Sequence, residues 1–367
     1  MLHESFESVA ALAESGTPSL SELRAGQERS RRMVLALLAA GVVVAAIAGL
    51  MIGPAAVGIR EALLALVPWS APETQATEIV QAIRLPRMIL GLCVGATLGI
   101  CGAALQGLFR NPLADPAIIG VSSGGVLGAA LVIVMGKTLA PSLLLAAGAY
   151  ALPLAAFGGS VAAIAAVYAL SRLSGTTSGS SLILAGIAIN AIVGGALGYL
   201  NFIAFDDQLR ELIFWQLGSL GRVTWDNLPP GAVLMCGAAL MLLRLAPALN
   251  VYLLGEREAV HLGVNVQAMK RWVIALAALG VGSAVALSGL IGFIGLAAPH
   301  LVRMLVGADH RAVLPGSALL GALLILCADL IARTAVAPAE LPIGVLTSLL
   351  GGPFFVWLLA RHRRELF

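Results

Sequence analysis

The chain has 367 residues, of which 59% are hydrophobic and only 11% charged, with a net charge of +3. A soluble domain carries about a quarter of its residues as charges, so most of this chain must face lipid or other apolar helices. Nothing in the charge balance suggests a nucleic-acid partner, and Cys93, Cys101, Cys236 and Cys327 sit inside apolar runs as small hydrophobes without ligand spacing.

A polar lead over residues 1–32, mixing Glu22 and Glu28 with Arg24, Arg29, Arg31 and Arg32, precedes the first long apolar run, Met33 to Ile52. It is too long for a signal peptide and no small-residue cleavage site follows a short apolar core. The run therefore reads as a first spanning helix behind a cytoplasmic extension. A span needs about 20 mostly apolar residues, and others follow near 87–108, 117–135, 148–170, 182–204, 230–248, 271–292, 312–332 and 342–360. A shorter apolar helix near 298–307, viable only where protein covers its ends, brings the count to about ten. The fold class is all-α integral membrane, with a transmembrane domain over 33–362.

With the N-terminus inside, fourteen Lys and Arg fall on inner segments and seven on outer ones. The positive-inside rule then places both termini in the cytoplasm. Sliding the sequence by 187 residues aligns Gly95 with Gly282, Gly102 with Gly289, Pro112 with Pro299 and Gly120 with Gly307. Five spans separate the paired segments, so the halves form an inverted repeat, an arrangement typical of transporters. Gly91, Gly95 and Gly99, and again Gly120, Gly124 and Gly128, line helix faces with small residues that permit close backbone contact.

No nucleophile, base and orienting acid stand together, and Gly136-Lys137-Thr138 lacks the upstream Gly of a phosphate loop, because position 131 is Leu131. An enzyme is the poorly supported reading. A gradient-driven carrier is another, with Asp329 as its nearest intramembrane acid. Two polar segments interrupt the apolar pattern. In Arg84-Leu85-Pro86-Arg87, two arginines flank a backbone-fixing proline, as helix-end anchors or as a docking site for an acidic partner. In 252–271, Glu256, Arg257, Glu258 and His261 lie between Gly255 and Gly263, which suits a short amphipathic helix on the cytoplasmic surface.

Three stretches resemble the iron-siderophore, haem and cobalamin permeases of ABC importers. They are Arg84 to Gly128, RLPRMILGLCVGATLGICGAALQGLFRNPLADPAIIGVSSGGVLG; Gly292 to Arg311, GFIGLAAPHLVRMLVGADHR; and Ala328 to Gly352, ADLIARTAVAPAELPIGVLTSLLGG. The resemblance covers about residues 33 to 362 and implies a type II importer permease in the bacterial inner membrane. It implies a homodimer of this chain, two ATPase subunits that bind ATP and Mg, a periplasmic binding protein, and haem or another iron chelate as cargo. No cofactor or metal is expected on this chain.

By the same resemblance Arg84, Arg87 and Arg333 face outside and pair with glutamates of the binding protein, for which forked, permanently charged guanidiniums suit. Asn111, Leu113, Gly179 and Ser180 form the cytoplasmic gate. Leu254, Gly255, Glu256 and Gly263 belong to the segment that couples to the ATPase. Asn190, Asn201 and Trp215 line the pathway, although an interhelical hydrogen bond serves either asparagine equally well. Phe202, Phe205, Phe214, Trp215 and Trp225 gather near the outer mouth, where a flat porphyrin or the ordinary aromatic belt accounts for them. His300 is the one outer-half histidine that could touch haem iron.

Overall fold

A computed structural model describes residues 20–55, 57–66, 74–173 and 178–362. Residues 1–19 of the N-terminal extension, and Arg363 and Arg364 of the inner-charge count, lie outside these. The described residues form helices joined by turns and loops, with no strand. The main helices are α1 Leu20–Met51, α2 Leu85–Phe109, α3 Val121–Leu139, α4 Ala151–Ser171, α5 Gly179–Ile203, α6 Asp206–Gln216, α7 Leu228–Arg244, α8 Ala246–Tyr252, α9 Glu256–His261, α10 Val266–Ser288, α11 Ile294–Val306, α12 His310–Thr334 and α13 Ile343–His362.

Seven described helices are long and apolar enough to cross a membrane, and α7 with α8 makes an eighth if the pair is one span. Two shorter apolar helices, α11 and the first part of α13, complete the expected ten. Three boundaries differ from the hydropathy reading, each for a local reason. Helix α1 begins in the charged lead, because Glu and Arg are good helix formers whether or not lipid surrounds them. The span expected at 230–248 bends by 50° between α7 and α8, where Pro247 opens a new helix. The span expected at 271–292 stops at Ser288, because Gly289 turns left-handed (φ 70°) and the apolar residues after it leave the helix.

Helices α2 and α10 form the centre, with 72% of their apolar windows buried, against 17% for α1 and 22% for α5. Small residues make that centre possible. A Cβ added at Gly99 would lie 2.0 Å from the Ser317 carbonyl oxygen, and one at Gly95 would lie 2.4 Å from that of Gly321, so α2 and α12 touch backbone to backbone. Gly124 and Gly128 do the same for α3 against Gly159 and Ala155 of α4. The repeat register survives at Gly120 and Gly307, whose φ values of 80° and 81° precede α3 and α12. It slips at Gly102, mid-helix, against Gly289, at a helix end.

Candidate functional site

Polar side chains concentrate at the two ends of α2, leaving the helix between them apolar. At its start, Pro86 occupies the first turn, where a missing N–H leaves nothing unsatisfied. Arg84 lies just before it in a π-helical turn, Ile79–Arg84, and is 4% exposed. Its guanidinium donates to the carbonyls of Leu50 and Met51, each at 2.7 Å, and to that of Ala55. It therefore caps the orphan carbonyls at the end of α1. Arg87 Nε donates to Asp329 at 2.9 Å, while its Nη1 forks onto both Glu340 oxygens at 2.8 and 2.9 Å. Arg333 donates from Nη2 to the Gly49 carbonyl at 2.7 Å and lies 3.7 Å from Asp329, one turn back on α12.

The three arginines thus gather at one end, each buried and held by this chain's own oxygens, partners that the motif alone does not reveal. Of the two carboxylates in the cluster, Asp329 is enclosed and Glu340 has 41% of its side chain exposed.

At the other end, α2 closes on Arg110, which takes a left-handed conformation (φ 48°) uncommon for a residue with a Cβ. Asn111 Oδ1 accepts from the Leu113 N–H at 2.9 Å, and Asp115 accepts from the Ala117 N–H at 2.8 Å, so two local side-chain bonds fix the turn. Asn111 and Leu113 are exposed. Helix α5 begins beside this turn, because a Cβ on Gly179 would meet the Phe109 ring at 3.6 Å. Ser178 caps α5 by accepting from the Ser181 N–H, and its hydroxyl lies 3.0 Å from that of Ser180. The four residues expected at the gate are therefore neighbours of one helix end.

Of the expected pathway residues, Asn190 donates to the carbonyls of Ala117 and Ile118 at 3.2 and 3.4 Å and accepts from Ser123, an interhelical bonding role. Asn201 is exposed on α5. Trp215 is 4% exposed inside the main hydrophobic core, so within one chain it faces helices and no open channel; this corrects its placement along the path. Phe202, Phe205, Phe214 and Trp225 are exposed, and Trp225 donates to the Gln81 carbonyl at 2.8 Å. His300 stands edge-on to Phe354 at 6.5 Å.

The segment 252–271 does form a short helix, α9, bracketed by Gly255 (φ 134°) and Gly263 (φ 84°). Leu254, Val260 and Leu262 are exposed while Ala259 is fully buried. Sequence reading missed how it is held. Lys270 of α10, 1% exposed, donates to both oxygens of Glu256 at 2.8 and 2.9 Å. It also missed Asp309, which receives Arg31 at 2.8 Å and Asn250 at 2.7 Å and so joins α1, α8 and α12. Burial pulls the Asp309 carboxyl upward, but the Arg311 N–H, the Asn250 amide and the Arg31 and Arg311 charges outweigh it and hold its pKa below the usual range. Arg303 bonds Gln106 and closes a cavity of about 240 Å³ lined also by Arg110, Asn111 and His310. That volume is below the roughly 300–1,000 Å³ of ordinary ligand pockets. No group of three or more His, Cys, Asp or Glu among the described residues could hold a metal ion.

Residues 37–361 match the FecCD transport family. The hemin transport system permease protein HmuU of Yersinia pestis is 50% identical over 283 residues, 77% of this chain and 83% of that one. The cobalamin import system permease protein BtuC of Halobacterium salinarum is 40% identical over 298 residues, 81% of this chain and 77% of that one. Among solved structures, the inward-facing conformation of an ABC transporter assigned to the metal-chelate type superposes with a TM-score of 0.78 at 34% identity, covering 90% of this chain and 99% of that one.

Proposed function

We propose, from the premise that this chain belongs to the FecCD transport family of ABC importer permeases, that its cargo is haem. The observation that carries the choice is the 50% identity to a hemin permease, against 40% to a cobalamin permease over a similar length. Ferric siderophore or cobalamin is the second reading, favoured by that cobalamin relative and by the metal-chelate structural neighbour.

In this reading the protein sits in the bacterial inner membrane with both termini cytoplasmic, the Arg110 end of α2 inside and the Arg84 end outside. A second copy supplies the other half of the path. Support comes from α5, whose Leu184, Ile187, Ile192 and Phe202 are exposed, and from the small size of the cavity within one chain. Two ATPase subunits bind ATP and Mg and dock on the segment containing Leu254, Gly255, Glu256 and Gly263. Closure of those subunits moves this segment, and the gate at Asn111, Leu113, Gly179 and Ser180 opens or shuts, giving alternating access.

A loaded periplasmic binding protein docks at Arg84, Arg87 and Arg333. Because Glu340 already holds Arg87, an incoming glutamate takes its place by exchange and not by pairing with a bare cation. The test is stimulation of ATP hydrolysis in the reconstituted complex by the binding protein loaded with haem, ferric siderophore or cobalamin. Stimulation by the haem-loaded form above the other two is expected; preference for either of the others overturns the assignment of cargo.

A further inference from the structure

We infer that Tyr252 is the positioning residue that joins the coupling helix α9 to the gate turn, its ring being held between Arg110 on one element and the Lys270–Glu256 pair on two others. The inference rests on the importer reading above and adds a named route by which a push on α9 reaches Asn111.

Four observations carry it. The Tyr252 ring is 2% exposed, with the Arg110 guanidinium 5.5 Å and the Lys270 ammonium 5.8 Å from its centroid. Both distances lie within the roughly 6 Å reach of cation–π attraction, which gains strength away from water. Its hydroxyl lies 3.5 Å from Glu256, the first residue of α9, too long for a strong hydrogen bond, so the link to α9 runs through the ring's contact with Lys270. Glu256 is in turn fixed to α10 by both carboxylate oxygens through a lysine that has almost no contact with solvent. Separating that lysine from its carboxylate would leave a buried charge unpaired, so the link resists breaking.

The geometry on either side favours transmission. A six-residue helix has no stability of its own, and α9 lies between Gly255 and Gly263, both at backbone angles that residues with a Cβ rarely adopt. Any displacement of α9 therefore has to carry Glu256, and with it Lys270 and the Tyr252 ring. On the receiving side Arg110 is itself strained, in the left-handed region at the end of α2, and the next residue is Asn111. The Tyr252 ring is in contact with both cations.

The experiment follows the gate and needs no cargo. A chain with its four native cysteines replaced and Leu113→Cys introduced is assembled with its ATPase in proteoliposomes. Labelling by a water-soluble maleimide is then compared between the nucleotide-free and vanadate-trapped states. A large state-dependent difference in labelling rate is expected in this parent and in Tyr252→Phe, which keeps both faces of the ring. In Tyr252→Leu the difference should shrink about tenfold, within the usual range for coupling between two sites. If Tyr252→Leu does not assemble, Arg110→Gln at an exposed position carries the same expectation. A full difference in the assembled variant overturns the inference alone, as does an equal loss in Tyr252→Phe. No difference in the parent overturns the gate assignment and the inference together.

Discussion

Arg87 and Glu340, 253 residues apart in the chain, meet in a two-pronged ion pair of 2.8 and 2.9 Å that ties the start of α2 to the loop before α13. Asp329 completes the arrangement from α12, so one guanidinium holds three parts of the fold together. The pair is half enclosed and half open, with side-chain exposures of 8% and 41%.

Removing Arg87 leaves Asp329, a carboxylate 4% exposed, with only the longer 3.7 Å contact to Arg333, so Arg87→Ala should cost up to about 3–5 kcal/mol. Glu340→Gln, at the open edge, should cost less than about 1 kcal/mol. Unfolding midpoints in mixed micelles would compare the two. Equal losses would show that Glu340, not Asp329, is the principal partner.

The same exchangeable carboxylate makes a docking prediction. Glu340→Gln frees Arg87 for an acidic partner, so affinity for the binding protein in nanodiscs should rise several-fold at unchanged assembly. Charge reversal at Arg87 is the less informative variant, because it places a third carboxylate in a buried cluster and damages the fold along with the surface. An unaltered affinity in Glu340→Gln would remove the exchange step from the account.

Small residues on α2 carry a third prediction. Gly99→Ala forces a Cβ to within 2.0 Å of the Ser317 carbonyl oxygen and should destabilise by at least about 1–3 kcal/mol as the helices move apart. Gly237→Ala on α7 meets nothing within 4 Å and should be neutral or stabilising by about 0.5–1 kcal/mol. Thermal unfolding in detergent separates a packing requirement from a general intolerance of substitution.

At Asp309 the sign of the pH dependence is fixed by its depressed pKa in the folded protein. Such a carboxylate adds stability above its unfolded value and loses it as pH falls through the folded one. Wild type should therefore exceed Asp309→Asn in thermal midpoint near neutral pH, with the gap closing as pH drops below about 4. A gap that persists in acid would mean that Asn250 and Arg31 do not act through the ionised carboxylate.

Apolar runs of membrane length made the span count readable, since hydropathy depends only on local composition. The Gly95 and Gly99 stripe was also readable, because small residues four apart share a face, and the structure sets them against Gly321 and Ser317. Hydropathy could not register the halt of α10 at Gly289, since Leu290 and Ile291 beyond it are as apolar as the helix. The bonding of polar side chains was hidden more completely. Arg84, Arg87 and Arg333 could be singled out by motif, but their partners lie as far away in sequence as Leu50, Asp329, Glu340 and Gly49. Lys270 read as an inner-loop charge; the structure buries it because the turn at Gly263 folds Glu256 back onto α10.

We propose that this chain is a conduit whose shape is changed by the nucleotide chemistry of another subunit. The most direct measurement is haem uptake into proteoliposomes holding the permease with its ATPase and binding protein, compared with vesicles holding the permease alone under an imposed proton or sodium gradient. Uptake that requires ATP and the ATPase, with none in the gradient-only vesicles, is the predicted result. Uphill uptake by the permease alone would contradict it.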